Sequence, residues 1–159
     1  MFAAAASAVS SMVTVRQPGA SLLPHINDLR SVSMTVGVAV ADAWNHRVLI
    51  WKKLPAQSHT PADIVLGQSD FANMAANRGA EMPDADTLFW PYGVHWDGAC
   101  LWVADSGNRR VLMWHGVPDR NGQAADLVLG QSGMRRRDEN GGGDPSATSM
   151  RWPHAITQW

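Results

Sequence analysis

The residues with the most chemistry to offer recur as a set. Asp42, Asn45 and Arg47 are followed 63 residues later by Asp105, Asn108 and Arg110, and Trp51 by Trp114. A carboxylate, a carboxamide and a guanidinium this close in sequence suggest a polar site in each copy. Their repetition points instead to structure: Asp and Asn satisfy backbone donors in a turn, while the Arg stem packs along the unit and its head pairs locally. A catalytic centre needs one asymmetric constellation rather than the same triplet twice.

The six histidines offer a second chemistry. His25, Tyr92 and His154 each follow a proline that opens an extended run, and a ring of such residues would place imidazoles around a metal or an anionic ligand. Tyr92 interrupts that series, and no His-x-x-x-His pair or carboxylate companion accompanies it. His46, His59, His95 and His115 have no counterpart at the next repeat and read as surface or turn residues. Cys100 is the only cysteine, which excludes an intrachain disulfide and any multi-cysteine metal centre. Set among apolar residues, it reads as a buried, inert thiol. No Gly-x-Ser-x-Gly elbow is present. The sequence therefore assigns no catalytic or cofactor-binding residue and predicts no cofactor, with His25, Tyr92 and His154 the metal candidates.

Charge excludes other classes. The 159 residues carry a formal charge of −1, so no global field draws the chain onto nucleic acid or anionic lipid. Arg135-Arg136-Arg137 is followed at once by Asp138-Glu139, which makes it a solvated loop rather than a phosphate clamp. Gly141-Gly142-Gly143 lacks the Lys-Ser/Thr and the strand-to-helix setting of a phosphate loop. No stretch reaches the roughly 18 to 20 apolar residues that cross a bilayer. The opening MFAAAASAVSSM has no basic region before its small apolar residues, so it reads as a frayed start and a cytoplasmic location is expected.

The elements that position these residues are also written twice. Residues 41–51 match 104–114 at seven of eleven positions, and ADIVLGQS from Ala62 matches ADLVLGQS from Ala125 at seven of eight, both 63 residues apart. Trp90-Pro91 recurs as Trp152-Pro153, one residue out of phase. Within one unit, four short runs rich in Val and Trp stand between turn signals: 93–96, 100–104, 110–114 and 126–129. Asp97-Gly98 suits a tight hairpin, and Asp105-Ser-Gly-Asn108 a second turn in which Gly107 can take positive φ. No apolar spacing favours a helix. Four strands per repeated unit predict an all-β chain, a partial β-propeller of four-stranded antiparallel blades.

VADSGNRRVLMW, with WPYGVHWDG before it and VLGQS after it, resembles the NHL repeat, and Val40-Ala41-Asp42, Asn45 and Arg47 form the same core in the first copy. On that resemblance the chain divides into 1–35, a degenerate start or part of a preceding blade; 36–88 and 89–150, two blades; and 151–159, the start of a further one. Val13–Gln17 is a degenerate counterpart of Val65–Gln68, and Leu23-Pro24 of Trp90-Pro91. Blades of 63 residues exceed the roughly 40 to 45 of common propeller repeats. The excess lies in long polar rim loops after Gln68 and Gln131, where function usually varies. Closed propellers use 4 to 8 blades, so the expected setting is the remainder of a longer propeller or a ring of several copies. The resemblance implies a non-catalytic scaffold offering its rim to a protein partner, with no nucleic acid or membrane. The alternative is a propeller enzyme, a metal-dependent lyase or lactonase.

Overall fold

The computed structural model describes residues 13–15, 37–157 and 159. Its strands form where short Val- and Trp-rich runs are bounded by residues that stop them. Asp97 ends one strand by accepting the Ala99 and Cys100 amides on Oδ1 at 2.8 and 2.7 Å, and Gly98 follows at φ +103°. Its other carboxylate oxygen receives the Trp102 indole N–H at 2.8 Å, which ties the turn to the next strand. These three donors hold the Asp97 carboxyl below the usual carboxylate range, the Trp102 bond foremost.

Two four-stranded sheets result. The first contains β1 (Val13–Val15), β2 (Val38–Asp42), β3 (Arg47–Trp51) and β4 (Ile64–Leu66); the second contains β5 (Pro91–Trp96), β6 (Cys100–Asp105), β7 (Arg110–His115) and β8 (Leu127–Leu129). Strands follow chain order across each sheet, and every neighbouring pair is antiparallel. Among the described residues there is no α-helix, only 3-10 turns. The all-β antiparallel class expected from the residue pattern is what the chain adopts.

Register shows how closely the sheets copy each other. Val40 faces Leu49 as Val103 faces Leu112, and Leu49 faces Val65 as Leu112 faces Val128. Val13 faces Val40 as Val94 faces Val103, so β1 holds the place of β5. This corrects the reading of Val13–Gln17 as a counterpart of Val65–Gln68: the short apolar run pairs with the free edge of β2, whose other edge β3 already occupies.

Alternation along the strands gives each sheet two apolar faces. One face of the first sheet carries Ala41, Val48, Ile50, Ile64 and Leu66; it packs on Val94, Leu101, Val103, Leu112 and Trp114 of the second. Leu88, in the connection between the sheets, is fully enclosed in the same core. Asn121 and Gly122 reach back from the second unit to bond the Val65 amide and carbonyl, at 3.0 and 2.8 Å. The core therefore lies between the sheets and not within either one.

Leu112 is 0% exposed at the centre of that layer. Leu112→Ala is expected to lower the unfolding free energy by about 2–5 kcal/mol, measured by urea denaturation followed through tryptophan fluorescence.

Candidate functional site

The repeated triplet sits in the tight connection from β2 to β3 and from β6 to β7. In the second unit Asp105 is wholly buried: Oδ2 accepts Arg110 Nε and Asn108 Nδ2, each at 2.8 Å, and Oδ1 accepts the Phe89 amide at 2.7 Å. Burial pushes the Asp105 carboxyl up, while the Arg110 charge and these donors pull it back. Arg110 Nη2 donates to the carbonyls of Asp84 and Thr87 at 2.9 and 3.0 Å, and Nη1 to that of Met134. Asn108 and Asn77 exchange side-chain amide bonds at 2.8 and 3.0 Å. The guanidinium therefore ties together β7, the connection before β5 and the loop after β8.

In the first unit the same three side chains are more open. Asp42 accepts Arg47 Nε at 2.8 Å and Asn45 Nδ2 at 2.9 Å, with the Arg and Asp side chains 18% and 26% exposed. Arg47 Nη1 donates to the Phe71 carbonyl at 2.7 Å, as Arg110 does to Met134 63 residues on. Trp114 is enclosed and donates to the Gln123 carbonyl, whereas Trp51 is half-buried and donates to that of Thr60. In the second turn the left-handed residue is not the expected Gly107 but Arg109 (φ +58°), and His46 (φ +53°) holds the same place in the first. Gly107 is required for a different reason, since a Cβ there would stand 2.6 Å from the Phe89 ring and carbonyl.

His46 is a turn residue, but not an idle one. Its Nδ1 accepts the Trp90 amide at 3.1 Å, and its ring meets Phe89 edge-on at 5.2 Å. Burial holds its pKa below the ordinary imidazole value, against the pull of Asp105 and Asp42. Of the metal candidates, Tyr92 and His154 come together with ring centroids 4.8 Å apart, and His25 lies outside the described residues. Trp44, Trp90 and Trp152 continue this into an aromatic row at 6.2 and 6.1 Å. Among the described residues no three His, Cys, Asp or Glu side chains group closely enough to hold a metal ion. Partial burial and the nearby carboxylates of Asp97 and Asp126 push the Cys100 thiol up, away from thiolate reactivity.

The long loops are pinned from within. Gln68 Nε2 donates to the carbonyls of His46 and Ala75, and Gln131 Nε2 to those of Arg109 and Asp138. The arginine run is engaged as well: Arg135 pairs with Asp84 at 2.7 Å, and Arg137 donates to the Glu81 carbonyl and lies over the Phe89 ring at 5.3 Å. No helix among the described residues is long and apolar enough to cross a membrane.

Comparison with known proteins bears on the other end of the chain. The sequence model of the malic enzyme NAD-binding domain matches residues 1–44. NAD-dependent malic enzyme 3 of Bacillus subtilis (strain 168) is 56% identical over 41 residues, which is 26% of this chain and 7% of that enzyme. No solved structure matches.

These findings correct the resemblance to the NHL repeat and the non-catalytic scaffold, or propeller lyase or lactonase, inferred from it: the match is to a malic enzyme domain. The error has a physical source. Asp, Asn and Arg recur because two sheets need the same turn and the same cross-link, and residues repeated for that reason do not by themselves identify a family. The first 44 residues contain no Gly-x-Gly-x-x-Gly run to announce a dinucleotide domain. The described residues do not fit a dinucleotide either. Such a site needs a parallel sheet with a glycine-rich turn feeding a helix N-terminus; β1 and β2, both inside the matched segment, are antiparallel neighbours.

Two outcomes follow. Arg110→Met strands the Asp105 carboxylate in the interior and is expected to cost about 3–5 kcal/mol, with Arg47→Met costing less; chemical denaturation of both variants measures this. For His46, a folded pKa below the unfolded value of about 6.5 means the unfolded chain takes up the proton first, so stability falls as pH drops below that value. His46→Phe should flatten the pH 5–7 limb of a melting-temperature profile; an unchanged limb contradicts the assignment.

Proposed function

We propose that residues 1–44 derive from an oxidoreductase of the malic enzyme type, and that the stacked sheets take no part in holding its nicotinamide cofactor. The observation that carries this reading is the 56% identity over 41 residues to the Bacillus subtilis enzyme. The matched segment spans 26% of this chain and only 7% of that enzyme. The antiparallel topology supports the second half, since among the described residues it offers no helix N-terminus at the end of a parallel strand. As to architecture, the finer reading is a partial β-propeller whose two sheets are adjacent blades. Matched register and face-to-face packing support that reading. The cytoplasmic location expected from the sequence stays part of the same proposal.

A graft tests the functional reading. Residues 1–44 replace their matched segment in the Bacillus subtilis enzyme, which is expected to keep its NAD-dependent activity. A chimera that folds and assembles normally yet has none would contradict it. The 159-residue chain titrated with NAD should show no saturable change in tryptophan fluorescence, and saturation would place a cofactor site where the proposal denies one.

A further inference from the structure

The two sheets meet through faces whose counterparts lie on the outer sides of the pair; on the second sheet Ala104, Val111 and Met113 are already enclosed and Leu127 and Leu129 form the open part of that side. On the second sheet, Leu127 and Leu129 stand 63 residues after Ile64 and Leu66 and share a face with Met113, the counterpart of Ile50. Ile64 and Leu66 are 2% and 0% exposed because the second sheet covers them, whereas Leu127 and Leu129 are 39% and 42% exposed. On the first sheet, Val38, Val40, Leu49 and Trp51 are half-buried; their counterparts Leu101, Val103, Leu112 and Trp114 are enclosed against the first sheet. One outer face of this chain is thus the mate of the other.

Polar groups around the contact repeat as well. Asn77, left-handed at φ +50°, bonds Asn108 across the interface; Asn140, 63 residues on, has the same conformation at φ +52°, and Asn45 is the counterpart of Asn108. Arg110 donates to the carbonyls of Asp84 and Thr87, where the Thr87 hydroxyl closes the turn by accepting the Asp84 amide. Ser146 and Ser149 make the same turn, with the Ser149 hydroxyl accepting the Ser146 amide at 2.9 Å. Met150 packs on Gly130 as Leu88 packs on Gly67.

We propose that the outer face of the second sheet binds the outer face of the first sheet of a second copy of this chain, repeating the internal contact between chains. In that pair Leu127 and Leu129 lie on Leu49 and Trp51 of the incoming copy, Asn140 meets its Asn45, and its Arg47 reaches the carbonyls of Ser146 and Ser149. Residues 153–155 already run beside Gly93, and the Ser106 hydroxyl donates to the Pro153 carbonyl. This is where the innermost strand of the next sheet belongs, so in the pair they replace β1 of the incoming copy on the edge of its β2, and that β1 is displaced. The contact is head-to-tail, so each copy keeps one face to engage another.

Sedimentation of the 159-residue chain tests this with two half-blocked variants. Leu129→Arg charges one face and Leu49→Arg the other; circular dichroism should match the parent, because both side chains are partly exposed. The parent chain is expected to form multimers that grow with concentration, and each variant alone to sediment as a single chain. Mixed, the two variants should give a one-to-one dimer, since one intact face of each kind remains. A parent that stays monomeric at every concentration overturns the proposal. So do variants that associate alone, or a mixture that shows no dimer.

Discussion

A four-stranded sheet that is apolar on both faces has to be covered twice, and the rest of this structure follows from that requirement. Each sheet is three to six residues deep and encloses no core of its own. Only stacking removes Val48, Leu66, Val103, Leu112 and Trp114 from water, so the layer between sheets is the cohesive unit. At about 25 cal/mol per Å² of apolar surface, two mated faces outweigh anything a surface ion pair contributes.

The polar network serves that layer. Arg110 lies at its edge, bonded at once to its own turn, to the connection before β5 and to the loop after β8. Covering the turn converts a partly exposed pair, as at Asp42 and Arg47, into a fully enclosed one, as at Asp105 and Arg110. Desolvation makes such a pair costly to form and more costly to break, which favours correct alignment of neighbouring units over loose collapse. The exchanged amides of Asn77 and Asn108 fix the same alignment through geometry alone.

Much of the fold was legible in the residues. The strand spans followed from short β-branched runs, and the Asp97-Gly98 turn from side-chain chemistry that acts within four residues. The 63-residue period exposed the two units because their turns demand identical side chains. What could not be read is equally specific. His46 and Arg109 adopt the left-handed conformation because the hairpin geometry imposes it, and neither residue type signals this. Partnership of Val13–Val15 with β2 depends on which sheet edge is open. The malic enzyme similarity of residues 1–44 rests on identities to another protein and has no periodicity, turn or metal spacing to announce it. Of the candidate site, the triplet was visible, but the place of His46 against Phe89 and Trp90 arises only when the second sheet packs on the first.

Coverage by a neighbouring sheet, rather than strand pairing, sets local stability in this chain. β4 and β8 have equivalent ladders, on β3 and β7 respectively, and differ in cover: Ile64 and Leu66 are enclosed by the second sheet, while β8 is covered through Val128 alone and leaves Leu127 and Leu129 exposed. Amide hydrogen exchange in dilute solution compares them directly, because protection reports the free energy of the opening that exposes each bond. The amides of Ile64–Leu66 are expected to exchange only with global unfolding, while those of Leu127–Leu129 exchange faster through local opening. Equal protection of the two strands, or slower exchange in β8, would contradict it.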